Sequence, residues 1–322
     1  LIARRHLIAA ALLAPGVASA QEGRPRGPVR ILIPFAPGGV PDIAARLIAP
    51  GLGAALGQPV VVENRPGGGG TVAAEAAARA APDGHTLFMT TASTQSIAPA
   101  LFGTLRYDPV GDFAPVSFIA RVPQVVMVPP SLGVATVAEL IALLRREPGR
   151  HAFGSSGVGA PPHLAAELFR LRAGVEITHV PYRGSAPALT DLVAGRIAFL
   201  IDALPPALPF IRDGRVRALG VTTRERAVAA PDIPTVTEGG LPDFETYTWA
   251  ALYAPAGTPP PVLDRLSAEV RRAARAPETA ARMAELGYEL VASDAATLAA
   301  IQRAETEKWG EVIRRAGIKP ES

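Results

Sequence analysis

"RILIPFAPGGVPDIAARL", residues 30–47, passes from an apolar run, through a turn of Pro and Gly, to Pro-Asp and then to apolar residues at helical spacing. It reads as strand, tight loop and helix start. Gly38 and Gly39 let the chain turn and let backbone approach a ligand closely. Pro41 suits the first helical turn, where its missing N–H costs nothing. Unpaired N–H groups and the positive end of the helix dipole face outward there, which makes an anion site. Asp42, in that first turn, either steadies its own helix or accepts bonds from loop amides or a ligand ammonium.

The same alternation continues along the chain. Strands are expected at 29–35, 59–64 and 85–91, with helices at 42–49, 52–57 and 71–80; Pro50-Gly51 predicts a kink or a fresh start between the first two helices. The pattern restarts with extended segments near 124–130, 151–157, 177–182, 197–202 and 216–223, separated by helices at 136–148, 161–174, 186–195 and 207–214. Thr136 and Glu139 form a capping box. The tail holds one extended piece, 248–257, and helices at 260–275, 278–286 and 294–315. Repeated strand–helix alternation defines an α/β chain with mostly parallel sheets. The first half has too few helices for its sheet and the tail has helices without one. The chain is therefore expected to leave one lobe, build a second and return. Crossings at about 120–127 and 245–255 give a two-stranded hinge over a cleft. Lobe one is expected to be 29–123 plus 251–322, and lobe two 124–250.

Composition bounds the function. The chain has 322 residues, 48% hydrophobic, enough for two cores. Arg4, Arg5 and His6 precede a short apolar stretch closed by Ala18-Ser19-Ala20, which predicts a secretory signal peptide over 1–20 and a periplasmic mature protein. The Arg4-Arg5 pair leaves Sec and twin-arginine export both open. Cysteine is absent, which excludes disulfides, thiolate metal sites and cysteine nucleophiles. Lys and Arg total 32 against 29 Asp and Glu, and two of the basic residues lie in the leader. Arg145-Arg146 and Arg271-Arg272 sit at helical spacing as solvated faces, with no basic patch interleaved with aromatics, so nucleic acid is not an expected partner.

Small polar residues gather at the carboxyl ends of the expected strands. Thr91, Ser93 and Gln95 follow one; Ser155, Ser156 and Gly157 precede the helix that carries His163; Tyr182, Gly184 and Ser185 precede another; Asp202 ends "FLID". Turns use such residues in any case. Several loops of this kind at strand ends point to a small polar ligand, a carboxylate for preference. Competing chemistries fit poorly. Ser155 or Ser156 with His163 and Asp202 would make a triad, but G-x-S-x-G is not satisfied around either serine. Gly68, Gly70 and Ala73 partly match a dinucleotide fingerprint, yet the next strand ends without its acid. The histidines lack metal-ligand spacing, and no cofactor is implied. His163 is expected at a helix start, bonding backbone. Tyr247 or Trp249 could wall the cleft, with core packing the expected role of at least one.

Taken in order, "PVRILIPFAPGGVPDIAARL", "GQPVVVENRPGGGG", "PDGHTLFM", "YDPVGDFAPVSFIA", "GSSGVGAPPHLAAELF", "HVPYRGSAPALTDLVAGRI", "ALPFIRDGRVRALGVTT" and "APAGTP" resemble the Bug-type extracytoplasmic solute receptors, the substrate-binding proteins of the tripartite tricarboxylate transporter family. The resemblance runs from about 29 to 318. It implies a type II periplasmic binding protein fold whose two lobes close on a small carboxylate. It also implies a membrane permease as partner, or alternatively a signalling partner, and no enzymatic activity. A monomer is expected. Carried over, the ligand residues would be Phe35, Ala36, Gly38, Gly39 and Asp42; Thr91, Ser93 and Gln95; Ser155, Ser156 and Gly157; and His163, Tyr182 and Asp202. Three departures from the family pattern stand out. Val40-Pro41 stands where Gly and then Thr or Ser are usual, Ala203 where Asn is frequent, and Gln95 where His or Asn is. Each departure removes polar capacity, so a monocarboxylate or aromatic acid is expected rather than citrate.

Overall fold

A computed structural model describes residues 27–320. The expected signal peptide lies outside the described residues. The strands are β1 (Val29–Ile33), β2 (Val60–Asn64), β3 (Thr86–Thr90), β4 (Phe113–Val128), β5 (Ala152–Ser155), β6 (Thr178–Pro181), β7 (Phe199–Ala203), β8 (Arg217–Val221), β9 (Tyr247–Pro255) and β10 (Glu289–Leu290). The α-helices are α1 (Val40–Leu56), α2 (Thr71–Ala78), α3 (Ala98–Phe102), α4 (Val137–Arg146), α5 (Pro161–Ala173), α6 (Ser185–Val193), α7 (Leu204–Arg212), α8 (Pro260–Arg275), α9 (Pro277–Glu285) and α10 (Ala295–Ala316).

The strands run in the order β2-β1-β3-β9-β4-β7-β5-β6, with β8 and β10 also pairing β4. β2, β1 and β3 are parallel, as are β6, β5 and β7. These two triplets are the sheets of the two lobes. Between them run the antiparallel strands that join the lobes, β9 and β4.

β4 belongs to both lobes. Residues from Phe113 to Pro123 pair with β9, and residues from Gln124 to Met127 pair with β7. The sequence reading placed an extended segment only at 124–130, whereas the strand begins at Phe113. Pro115 and Pro123 argue against a central strand, since Pro cannot donate to the ladder. The register shift near Pro115 absorbs the first, and the second sits at the switch of partners.

α1 is one continuous helix through Pro50, not two segments. An interior Pro costs about 3 kcal/mol. Ile48 and Leu52 are fully buried, and burial of such side chains is worth roughly 1.5–3 kcal/mol each. The helix therefore persists. Gly51 lets it lie close against α8, since a Cβ there would stand 3.2 Å from Cβ of Ala273. α8, from the tail, thus packs on α1. Trp249 is fully buried against Phe118 and faces the core, not the cleft. Among the described residues, no helix is long and apolar enough to cross a membrane.

Candidate functional site

A cavity of about 620 Å³ opens between the lobes. The first lobe contributes Phe35, Gly38 to Pro41 and Ile43 around the start of α1, Thr91 and Ser93 beyond β3, and Leu286 and Tyr288 from the tail. The second contributes Ser156 and Ala160 to Pro162 at the start of α5, Ser185 at the start of α6, and Asp202, Ala203, Pro205 and Pro206 at the start of α7. Val122 and Thr248 come from the joining strands. Apart from Leu286 and Tyr288, which precede β10, the lining loops lie beyond the carboxyl ends of their strands, where α/β sheets place ligands. A second hollow, about 560 Å³, lies on the outer face between α1 and the amino end of β2, away from those strand ends.

Four helix N-termini, those of α1, α5, α6 and α7, meet this cavity, and none is capped by a side chain. Each presents the positive end of its dipole and whichever first-turn amides proline does not replace. No Arg, Lys or His lines the wall among the described residues. The field favours an anion, yet it comes from backbone. Prolines in the first turns of α1, α5, α6 and α7 remove donors from all four ends. The wall is otherwise apolar except for the Asp202 carboxyl on the second-lobe side and hydroxyls from Thr91, Ser93, Ser156, Ser185, Thr248 and Tyr288.

Seven of the residues expected from the sequence line the cavity: Phe35, Gly38, Gly39, Thr91, Ser93, Ser156 and Asp202. Of the two glycines in the first loop, only Gly38 needs to be one, at φ 89°; Gly39 is extended.

The other seven do not line it. Asp42 is 2% exposed and turns into its own lobe. It accepts from the Gly38 amide at 2.9 Å, from Asn64 Nδ2 at 2.9 Å and from Arg46. Burial pushes its pKa up, but Arg46, the Gly38 amide and Asn64 outweigh this and hold it below the ordinary value. Asp42 is thus the loop's internal brace, and Ala36 within that loop also stays off the wall. Gln95 is fully buried in a wide π-type turn at Ser93–Ile97, with Nε2 donating to the Pro109 carbonyl at 3.2 Å. The Tyr182 hydroxyl donates to Asp191 at 2.8 Å; burial, and then this bond, push its pKa up to about 12.

Ser155, Gly157 and His163 form a network behind the wall. Ser155 is fully buried and bonds His179 Nε2 at 2.7 Å; the Gly157 amide donates to Ser155 Oγ at 3.3 Å. His163 accepts the Gly159 amide on Nδ1 at 3.0 Å, the backbone bond expected of it, and stacks on His179 with ring centroids 3.9 Å apart. Burial, reinforced by His179, lowers the His163 pKa to about 3, and burial lowers that of His179 to about 4. The 3.8 Å approach of His163 to Glu167 is therefore no ion pair near neutral pH, and Glu167 pairs with Arg170 at 2.7 Å. The conceivable Ser–His163–Asp202 triad is not assembled.

Leu286, Tyr288, Val122 and Thr248 line the cavity without a local sequence signal for it. Tyr288 donates to the Val40 carbonyl at 3.1 Å and ties the tail to the first loop. Nothing local in the sequence announces that contact. Ala160 to Pro162 and Pro205-Pro206 were within reach of the strand-end rule.

Two α/β lobes joined by paired strands over a cleft define a two-lobe solute-binding protein. The profile of the family described as "Tripartite tricarboxylate transporter family receptor" matches residues 44–318. Protein BugT of Bordetella pertussis is 36% identical over 296 residues, covering 92% of this chain and 91% of its own. Rpa4515 of Rhodopseudomonas palustris, solved with adipate, is 38% identical with a TM-score of 0.82, over 92% of this chain and 99% of that one. The periplasmic binding protein BugD is 32% identical with a TM-score of 0.78, over 92% and 100%. The chain belongs to the tripartite tricarboxylate transporter receptor family, whose members are substrate-binding receptors rather than enzymes.

Proposed function

We propose that the protein captures a small carboxylate of low polarity in the inter-lobe cavity, in the periplasm, and hands it to a tripartite tricarboxylate-type permease. The observation that carries this reading is the convergence of four uncapped helix N-termini on a wall without a basic side chain. Such a site attracts an anion through backbone dipoles. The prolines and apolar side chains then favour an acid with a hydrocarbon body over a densely charged tricarboxylate. The adipate bound by Rpa4515 is an acid of that kind.

We assign 29–123 and 251–322 to one lobe and 124–250 to the other; the change of β4's partner between Pro123 and Gln124 supports this division. Closure follows from the ligand's better contacts in the shut form. The signal peptide over 1–20 supplies export, and the receptor acts as a monomer. Of the residues expected to contact ligand, those on the wall do so directly, while Asp42, Gln95, Ser155, Gly157, His163 and Tyr182 hold the loops that carry them.

A thermal-shift screen of mono-, di- and tricarboxylates and amino acids tests the reading. A dose-dependent rise in Tm with monocarboxylates, aromatic acids or extended dicarboxylates is expected. A rise with citrate alone would sink the low-polarity assignment. A rise with none of them would sink the carboxylate assignment itself.

A further inference from the structure

The second-lobe wall of the cavity ends in a carboxyl group that its own lobe does not satisfy. Asp202 is the fourth residue of β7 and is 2% exposed. Its Oδ1 accepts the Ala203 amide at 2.8 Å, while Oδ2 has no hydrogen-bond partner. Asp202 also lines the cavity.

The neighbours do not repair this. On β4, Val125 stands opposite Asp202 in the ladder. From α6, Ser185 lies near enough to favour the charged form, but it makes no bond of ordinary geometry to Oδ2. At the start of α7, Pro205 and Pro206 have no N–H to give. The joining strands contribute Val122 and Thr248. From the first lobe the only titratable group on the wall, among the described residues, is the Tyr288 phenol, whose hydroxyl donates to Val40. No charged group acts on Asp202, and burial pushes its pKa up to about 6.

A buried acceptor without a donor is costly, and the cost falls away when a ligand brings one. A ligand carboxylate placed against this group would meet a like charge. The acid end therefore belongs with the helix N-termini and the hydroxyls, and the opposite end of the ligand meets Asp202. We propose that Asp202 is a specificity-determining residue: it admits acids with an apolar body whose far end brings a hydrogen-bond donor to Oδ2, either a hydroxyl or a second carboxyl that has taken up a proton. This deepens, and rests on, the reading of the cavity as a carboxylate site.

The test is calorimetric binding of hexanoate, 6-hydroxyhexanoate and adipate to the mature protein at pH 5.5 and pH 8, with Asp202→Ala and Asp202→Asn beside it. Asp202→Asn relieves the cost of burying an unsatisfied acid and keeps an oxygen for the Ala203 amide, so it should not melt below wild type, whereas Asp202→Ala also leaves that amide unpaired and is read only by its ligand preference. At pH 5.5 at least one donor-bearing acid should bind about tenfold tighter than hexanoate, or more. The arms separate the two donors. A hydroxyl keeps its advantage at pH 8. A shared proton makes adipate weaken by more than about tenfold between the two pH values, since each unit above the relevant pKa costs up to tenfold. Asp202→Ala should bring all three acids to within about twofold of one another, and Asp202→Asn should abolish the pH dependence of adipate. Hexanoate binding as tightly as both donors, or a preference that survives Asp202→Ala, overturns the role of Asp202. Failure of all three acids to bind wild type overturns this inference, and the carboxylate reading falls with it only if the thermal-shift screen is silent as well.

Discussion

Asp42→Asn removes one charge and almost no volume, so it isolates what the carboxylate does for the first loop. Oδ2 accepts from the Gly38 amide and Oδ1 from Asn64, both at 2.9 Å, and Arg46 bridges to Oδ1 at 2.9 Å. Bonds to a charged acceptor are each worth about 1.5–3 kcal/mol. The Arg46 side chain is 51% exposed, and such a pair adds at most about 1 kcal/mol. An Asn keeps one oxygen and turns a donor group toward donors, so roughly half the total is lost, about 2 kcal/mol. At ~2 °C per kcal/mol for a chain of this size, Tm should fall by about 4 °C. About 1.4 kcal/mol of the loss falling on the loop would make the binding-competent form tenfold rarer, and ligand affinity should fall by about the same factor. Differential scanning calorimetry and ligand titration read both numbers. The sign with pH adds a check. The Asp42 pKa is lowered on folding, so its contribution is present above the ordinary carboxylate range and is lost as pH falls through the folded value. The variant should lack that part of the acid loss. A Tm within about 1 °C of wild type and an unchanged affinity would refute the brace.

Two further outcomes are expected. His163 and His179, held neutral down to about 3 and 4, make the folded protein lose stability as pH falls from about 6.5 toward 4, because the unfolded chain takes up protons that the fold refuses. Each adds up to about 1.4 kcal/mol per pH unit, while Asp202, raised to about 6, acts in the opposite sense as pH falls through its own window. His163→Gln, whose amide oxygen can still accept from Gly159, should flatten the fall of Tm with acid; an unchanged slope would mean that the stacked pair is not its source. Val40→Gly with Pro41→Thr restores a backbone donor and a hydroxyl at the mouth of α1. Relative affinity should move toward citrate by about tenfold per recovered bond, as a competition assay would show.

The strand–loop–helix start at 29–49 was legible because periodicity changes from strand to helix across an obvious turn, whereas the continuation of α1 through Pro50 was not. The strand-end rule then reached Phe35, Thr91, Ser156 and Asp202. What it could not supply was direction. A polar residue at a strand end faces either the ligand or its own lobe, and its partner decides which. Asp42 had Arg46 at helical i,i+4 spacing, a signal for the inward reading that the sequence carried openly. Tyr182 turns to Asp191 and His163 to Gly159, partners whose geometry appears only in the fold. Tyr288 reaches Val40 across 248 positions, and no local pattern encodes such a contact.

The position of β9 has a consequence for how the chain comes to be folded at all. β9 is wedged between β3 and β4, pairing Phe88 with Tyr253 on one side and Pro123 with Tyr247 on the other. Everything between β4 and β9 in the sequence must be made before that place is filled. Until then β3, whose five residues are all buried in the finished protein, presents an open apolar edge, the kind of template on which chains aggregate. A nascent or truncated chain ending before residue 247 should therefore be the sticky species, whatever the health of its second lobe. The strand that closes that edge also joins the two lobes, so the receptor gains the link between them in the same step that makes its first sheet safe in water.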